Sequence, residues 1–212
     1  DSGFSAAAME VSSHALAQHR TDAVAFDVAV LTQIGRDHLD YHGSDAAYAA
    51  AKRRLFAHDT LSHVVLNADD EHGAAWLAEA ATRDDVTPIA YGKHSAVAER
   101  AHHVHIARVD AHADGLGVTL ATHAGRTRLD TGLIGLFHAH NLAACMAVLL
   151  ARGVDLADAS RALSAATTVP GRMERIAGHD EAGLAAAPLV VVDYAHTAGA
   201  LEVALSSLRA HA

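Results

Sequence analysis

The sequence predicts an α/β fold: a doubly wound, mostly parallel sheet flanked by helices, with a small antiparallel β elaboration at about 102–133. Three observations predict it. Short β-branched, apolar runs alternate with helix-periodic segments and short turns as far as Gly92, the pattern of stacked strand–helix units. From His102 to Leu133 the period changes to alternation, with Gly115, Gly117 and Gly125 as turns. Half of the 212 residues are apolar, 51%, enough to bury one full core.

Taken in order, Ala6 to Val11 (AAAMEV) reads as a first buried strand, followed by a turn and a short helix, Ala15 to Arg20. Phe26 to Thr32 is the second strand. Ser44 to Phe56 is a helix that Ser44 caps and Asp45 favours at its positive end. His63 to Asn67 is a third strand, after which Asp69 or Asp70 caps a helix over Glu71 to Ala80. Thr87 to Tyr91 is a fourth strand. Beyond the alternating region, helices are predicted over Asn141 to Arg152 and Leu156 to Ala166, VPGRME (169–174) as a turn, Leu189 to Asp193 as a strand, and YAHT as the opening of a last helix. The chain opens almost directly into a strand and closes on an uncapped helix, so both ends are expected to cut through a packed layer.

Composition excludes several function classes. A net charge of −9 with histidines neutral leaves no basic face for nucleic acid. No run of eighteen apolar residues occurs, so no membrane insertion is expected and a cytoplasmic location is. The single cysteine, Cys145, cannot form an internal disulfide and fits a reducing compartment. No GxGxxG, GxxxxGK[ST], CxxC, HExxH or GxSxG motif is present.

The chemistry is expected at residues 30–56, where an apolar run ends in a polar turn carrying Asp37, His38, Asp40 and His42. Open α/β sheets place ligands at the carboxyl ends of strands. Lys52 shares a helix face with Tyr48, Ala51 and Leu55 by spacing. The chain has two lysines against fourteen arginines, so a position wanting only a solvated charge would favour arginine. An inward lysine either snorkels over core or has its pKa lowered, acts as a nucleophile, or takes up carbon dioxide as a carbamate. Glu10, at the end of a predicted core strand, requires an arginine partner such as Arg20 or Arg36, or a cation. Ser12, Gln18 and Arg20 present polar groups nearby, either solvated or aimed at an anion. Asp193 and His196 stand at a second strand end.

These strings together resemble one family. MEVSSHALAQHR (9–20), RDHLDYHGSDAAYAAAKRRLF (36–56), LNADDEHG (66–73), PGRME (170–174) and VVVDYAHT (190–197) are similar to the successive motifs of the Mur ligases, above all the members that add the third residue of the peptidoglycan stem. Family members have a UDP-sugar domain, a central ATPase domain and an amino-acid domain. The resemblance covers the central domain alone, without its P-loop, so residues 1–212 are expected to be a partial domain, inactive by itself. It implies an ATP-dependent acid–amino-acid ligase that phosphorylates the D-glutamyl carboxylate of UDP-MurNAc-L-Ala-D-Glu, after which the amine of meso-diaminopimelate or L-lysine attacks the acyl phosphate.

By the same resemblance, Glu10, His38 and Lys52 form the catalytic group: Glu10 is a Mg2+ ligand on the ATP side, and His38 with a carbamate on Lys52 holds a second Mg2+ or positions the γ-phosphate. Ser12, Gln18 and Arg20 meet the muramoyl dipeptide. Asn141 meets the adenine of ATP, Arg172 the phosphates, Asp193 the ribose, and His196 lies beside the base. Three departures stand out: Gln33 where the family has Asn, His138 for the first Asn of FNxxN, and Ala198 and Gly199 for Pro and Asp, which is expected to loosen the start of the last helix. Two other functions fit the same strings: a related amide ligase of the folylpolyglutamate or cyanophycin synthetase kind, and a non-catalytic Mur-like domain that binds nucleotide or a partner protein.

Overall fold

Apolar β-branched runs dictate the frame. In the computed structural model, which describes residues 3–35, 38–177 and 190–211, three of them lie side by side as parallel strands, β1 (Val28–Leu31), β2 (His63–Asn67) and β3 (Thr87–Gly92), and the alternating β4 (His103–His112) pairs in parallel with β3. The register sets Val30 against Val65 and Val65 against Ile89. β5 (Gly115–Thr122) and β6 (Gly125–Thr131) extend the same sheet antiparallel, giving six strands in the order of the chain.

Alternation along each strand divides the core between two faces. On one, Val64, Leu66 and Ala90 pack with Trp76, Leu77 and Ala80 of helix α4 (Glu71–Ala80); the preceding helices are α1 (Ser13–Ala17), α2 (Leu39–His42) and α3 (Asp45–Arg53), the last continued by a 3-10 turn, Arg54–Ala57. On the other, Val65, Ile89 and Tyr91 meet Leu142, Ala143 and Met146 of α5 (His138–Ala151) and Leu163 of α6 (Leu156–Ser164). Burial on both faces is why β2 reads as a nearly unbroken apolar run. The chain closes with β7 (Glu174–Ala177), β8 (Val190–Val192) and α7 (Ala198–Arg209), and Val191 of β8 with Ala204 and Leu208 of α7 packs on Ile134 and Met173. No helix among the described residues is long and apolar enough to cross a membrane.

The expected class holds, with helices on both faces of a mostly parallel sheet, but some local expectations need correction. Residues 6–11 are not a strand: they run without regular structure and are largely exposed, because alanine has little strand preference and a strand needs a hydrogen-bonded neighbour. Glu10 is therefore exposed to solvent, and the burial that was to force a partner on it is absent. The alternating region forms the expected antiparallel elaboration, β4–β5–β6, at the edge of the sheet, and β4 joins it to the rest by pairing in parallel with β3. The strand expected from Leu189, a position outside the described residues, is observed as β8, which pairs antiparallel with β7 in a two-stranded sheet of its own. The start of the last helix keeps its cap without the proline and acid: Thr197 accepts a hydrogen bond from the Ala200 amide at 3.2 Å.

Candidate functional site

β1 stops at Leu31, and the chain leaving it is pinned by side chains of its neighbours. The Tyr91 hydroxyl donates to the Leu31 carbonyl at 2.9 Å, Asn67 Nδ2 donates to the Thr32 carbonyl at 2.7 Å, and Asp70 accepts from the Ile34 amide at 2.9 Å. Asp70 also caps α4 through the Gly73 amide at 3.0 Å, so one carboxylate fixes both a helix start and the loop beside it. Arg36 and Asp37 lie outside the described residues. His38 follows in the left-handed region, φ 54°, and opens α2; Gly43, φ 75°, closes it. Histidine tolerates that conformation better than most non-glycine residues, and such outliers gather at functional sites. Ser44 then caps α3 by accepting from the Ala47 amide at 3.2 Å.

These turns gather rings from three short helices. His14 of α1 lies edge-on to His38 at 4.7 Å and against Tyr41 at 4.2 Å. His42 approaches Tyr48 at 5.5 Å and hydrogen-bonds Ser13 Oγ through Nε2 at 3.0 Å. Lost hydration, then the neighbouring His14 and His38, hold the His42 ring below its ordinary pKa against the opposite pull of Asp40. Tyr48 is buried and serves as the common wall, with His38 at 6.2 Å and the Lys52 Nζ 5.4 Å above its ring centroid. The inward placement of Lys52 expected from helix spacing is thus observed, with the ammonium over an aromatic face.

The predicted residues divide between two sides of the sheet's carboxyl end. On the α1 side, Ser12 Oγ caps α1 by accepting from the Ala15 amide at 3.1 Å, and Gln18 Nε2 donates to the Tyr41 hydroxyl at 3.2 Å. Gln18 is thereby tied to the ring cluster that holds His38. Arg20 is exposed, and Glu10 lies in the extended stretch leading to Ser12.

On the α5 side, Asp193 accepts from the Met173 amide and the Ala195 amide, both at 2.9 Å. Arg172 lies 4.8 Å over the Tyr194 ring, and His196 packs against the same ring at 5.0 Å. His138 Nδ1 is 3.5 Å from Asn141 Nδ2, while its Nε2 is buried without a hydrogen-bond partner among the described residues. Burial lowers the basicity of His138 and the Asp193 carboxylate partly restores it, which ties the helix start to the Asp193 turn. Asn141, Arg172, Asp193 and His196 therefore belong to one neighbourhood.

Sequence reasoning missed the group that connects these elements. Asp69 accepts from the Lys93 amide at 2.7 Å, the His94 amide at 3.0 Å and His140 Nε2 at 2.8 Å, joining the ends of β2 and β3 to α5. His14 and Tyr41, also unforeseen, stand inside strings already singled out. Among the described residues no three His, Cys, Asp or Glu side chains converge as a metal cage.

Comparison with known proteins places this arrangement. The chain is 42% identical over 200 residues to the UDP-N-acetylmuramoyl-L-alanyl-D-glutamate--2,6-diaminopimelate ligase of Chromobacterium violaceum, covering 94% of this chain and 38% of that protein. It is 43% identical over 209 residues to the ligase of the same description from Neisseria meningitidis serogroup A, covering 98% and 40%. The chain thus spans about two fifths of the length of these relatives. A solved structure of a ligase so described superposes with a TM-score of 0.74 at 31% identity, over 95% of this chain and 39% of that one. The family model for the Mur ligase middle domain matches residues 1–149, the stretch that holds the ring cluster, Lys52 and the Asp69 junction, and with these likenesses it establishes that the chain belongs to the Mur ligase family.

Proposed function

We propose that this chain is the central, nucleotide-binding part of an ATP-dependent ligase that adds meso-diaminopimelate, or L-lysine, to UDP-MurNAc-L-Ala-D-Glu in cytoplasmic peptidoglycan synthesis. One observation carries the reading: 42–43% identity to diaminopimelate ligases over 94–98% of the chain. In the reaction, the D-glutamyl γ-carboxylate attacks the γ-phosphorus of ATP and ADP leaves. The amine nitrogen then attacks the acyl phosphate, phosphate leaves with the C–O bond pair, and the nitrogen gives up a proton.

Two anions must meet, so positive charge has to offset their repulsion. Glu10 offers two carboxylate oxygens and His38 one ring nitrogen; Lys52 offers none as an ammonium and two oxygens as a carbamate. That small set fits magnesium, which keeps much of its shell as water and phosphate and does not require a closed protein cage. Bound there, the ion would supply charge neutralisation. Carbamylation would exchange the contact of Lys52 with the Tyr48 ring for oxygen ligands. The Tyr41–Gln18 bond would hold Gln18, with Ser12 and Arg20, toward the muramoyl dipeptide. Asn141 would meet adenine, Arg172 the phosphates and Asp193 the ribose, with His196 beside the base.

The test uses the complete protein encoded by the gene: ATP- and diaminopimelate-dependent conversion of UDP-MurNAc-L-Ala-D-Glu to the tripeptide, followed by mass spectrometry. ADP release matching tripeptide formation is expected. Absence of both with active controls overturns the assignment. Labelled bicarbonate should place one carbamate carbon on Lys52 by NMR; an unmodified amine in the active protein removes that element alone.

A further inference from the structure

We propose that His211 is a positioning residue for the nucleotide pocket, holding the segments that carry its four contact residues in one frame. This rests on the nucleotide-binding reading given above. His211 is only 6% exposed, although it lies beyond the end of α7. Its Nδ1 is 2.8 Å from the His112 carbonyl and its Nε2 is 2.9 Å from the Gly135 amide. A carbonyl can only accept and an amide N–H can only donate, so Nδ1 carries the proton and Nε2 is a bare lone pair. The ring is thereby fixed as one neutral tautomer, bridging positions 99 and 76 residues away in sequence.

The amide it holds is not an arbitrary one. Gly135 has φ +117°, and a Cβ there would stand 2.9 Å from Cε1 of Phe137 and 3.4 Å from Cε of Met173. Phe137 directly precedes His138 at the start of α5, which carries Asn141. Met173 follows Arg172 and donates its amide to Asp193. Phe137, Met173, Val191, Ala195, Ala204 and Leu208 share one small apolar cluster with Ile134. Asn141, Arg172, Asp193 and His196 thus ride on three segments that meet at Gly135 and Met173. The two-stranded β7–β8 ladder is too small to hold its own position, and apolar contact in a cluster of this size leaves its rotation loosely set. The two directional hydrogen bonds of His211 fix the far end of α7, which shares that cluster with β8, to the end of β4 and the turn before α5.

The experiment compares His211→Leu, His211→Gln and His211→Asn with the parent in the complete protein, reading the ATP dissociation constant by calorimetry, KM for ATP, kcat and thermal midpoint. Leucine keeps the volume and loses both bonds; ATP affinity is expected to fall about tenfold with kcat within about threefold, the loss of one well-satisfied buried group. Glutamine can present a donor and an acceptor at a similar spacing and should recover ATP affinity to within about threefold. Asparagine reaches the His112 carbonyl but not the Gly135 amide, and it decides the matter if the leucine variant does not fold: weakened ATP binding supports the proposal. A lowered thermal midpoint with unchanged ATP affinity in the leucine or asparagine variant overturns it and leaves only a structural pin. If the parent itself binds no ATP, the nucleotide reading falls first and this proposal with it.

Discussion

His140 Nε2 donates to Asp69 Oδ2 at 2.8 Å, with about a quarter of each side chain exposed, and this contact closes a junction between the ends of β2, β3 and α5. Burial by itself would raise the Asp69 carboxyl. The Lys93 amide, His140 and the His94 amide outweigh it and hold the group below its ordinary 3.8. Gly92 makes room for this, since a Cβ at its φ of +152° would stand 2.7 Å from Asp69 Oδ1.

Asp69→Asn keeps the shape but loses the charge that three donors converge on, and it should cost about 1–3 kcal/mol at neutral pH. The sign of the pH effect follows from the depressed folded-state pKa. The charge contributes fully above 3.8, the ordinary value, and its contribution is lost as pH falls through the lower folded value. The gap between parent and variant in urea unfolding should therefore narrow on acidification below that value; a gap that widens would contradict the assignment.

Gly73 decides between helix propensity and packing. In a helix interior, glycine to alanine is worth about 1 kcal/mol of added stability. At this position the new Cβ would meet the Asn67 carbonyl oxygen at 1.9 Å, a backbone atom at the end of a central strand that cannot step aside. The clash should win, so Gly73→Ala is expected to destabilise by about 3 kcal/mol, at the upper end for overpacking. A raised unfolding midpoint would show that α4 can slide on β2.

How much of this was legible in the sequence depended on whether the deciding contact was local. The boundaries of β2 and α4 could be read directly, because HVVLN is apolar on both faces and Asp70 caps its own helix. Lys52 was placed inward by its helix spacing from Tyr48, Ala51 and Leu55 alone. Residues 6–11 were misread because their apolar character is local, whereas a strand needs a partner that sequence does not display. His140 and His211 stood unnoticed among eighteen histidines: what distinguishes them is an acceptor or donor 71 to 99 residues away.

Tyr91 tests the pinning of the loop after β1. Its hydroxyl reaches from β3 past β2 to the Leu31 carbonyl at 2.9 Å, and burial, foremost, pushes its pKa up. The group is therefore a neutral donor across the working range. Tyr91→Phe removes the donor and leaves a carbonyl at the end of β1 short of a partner, so a loss of about 1–2 kcal/mol is expected. Hydrogen exchange should rise at Ile34 more than at Val65; uniform exchange across both would mean the bond does not hold the loop.

The ring cluster should make the α1–α3 corner sensitive to mild acid. His42 is held below its ordinary value of 6.5, first by lost hydration and then by His14 and His38. The unfolded chain thus binds the proton more readily than the folded one, so the stabilising difference is present above 6.5 and is lost as pH falls through the folded value. His42→Gln keeps a polar partner for Ser13 and removes the titration. Between neutral pH and about pH 5, the thermal midpoint of the parent should fall more steeply than that of the variant. Parallel slopes would show that the charge at His42 is accommodated without cost, and that His14 and His38 turn away when it forms.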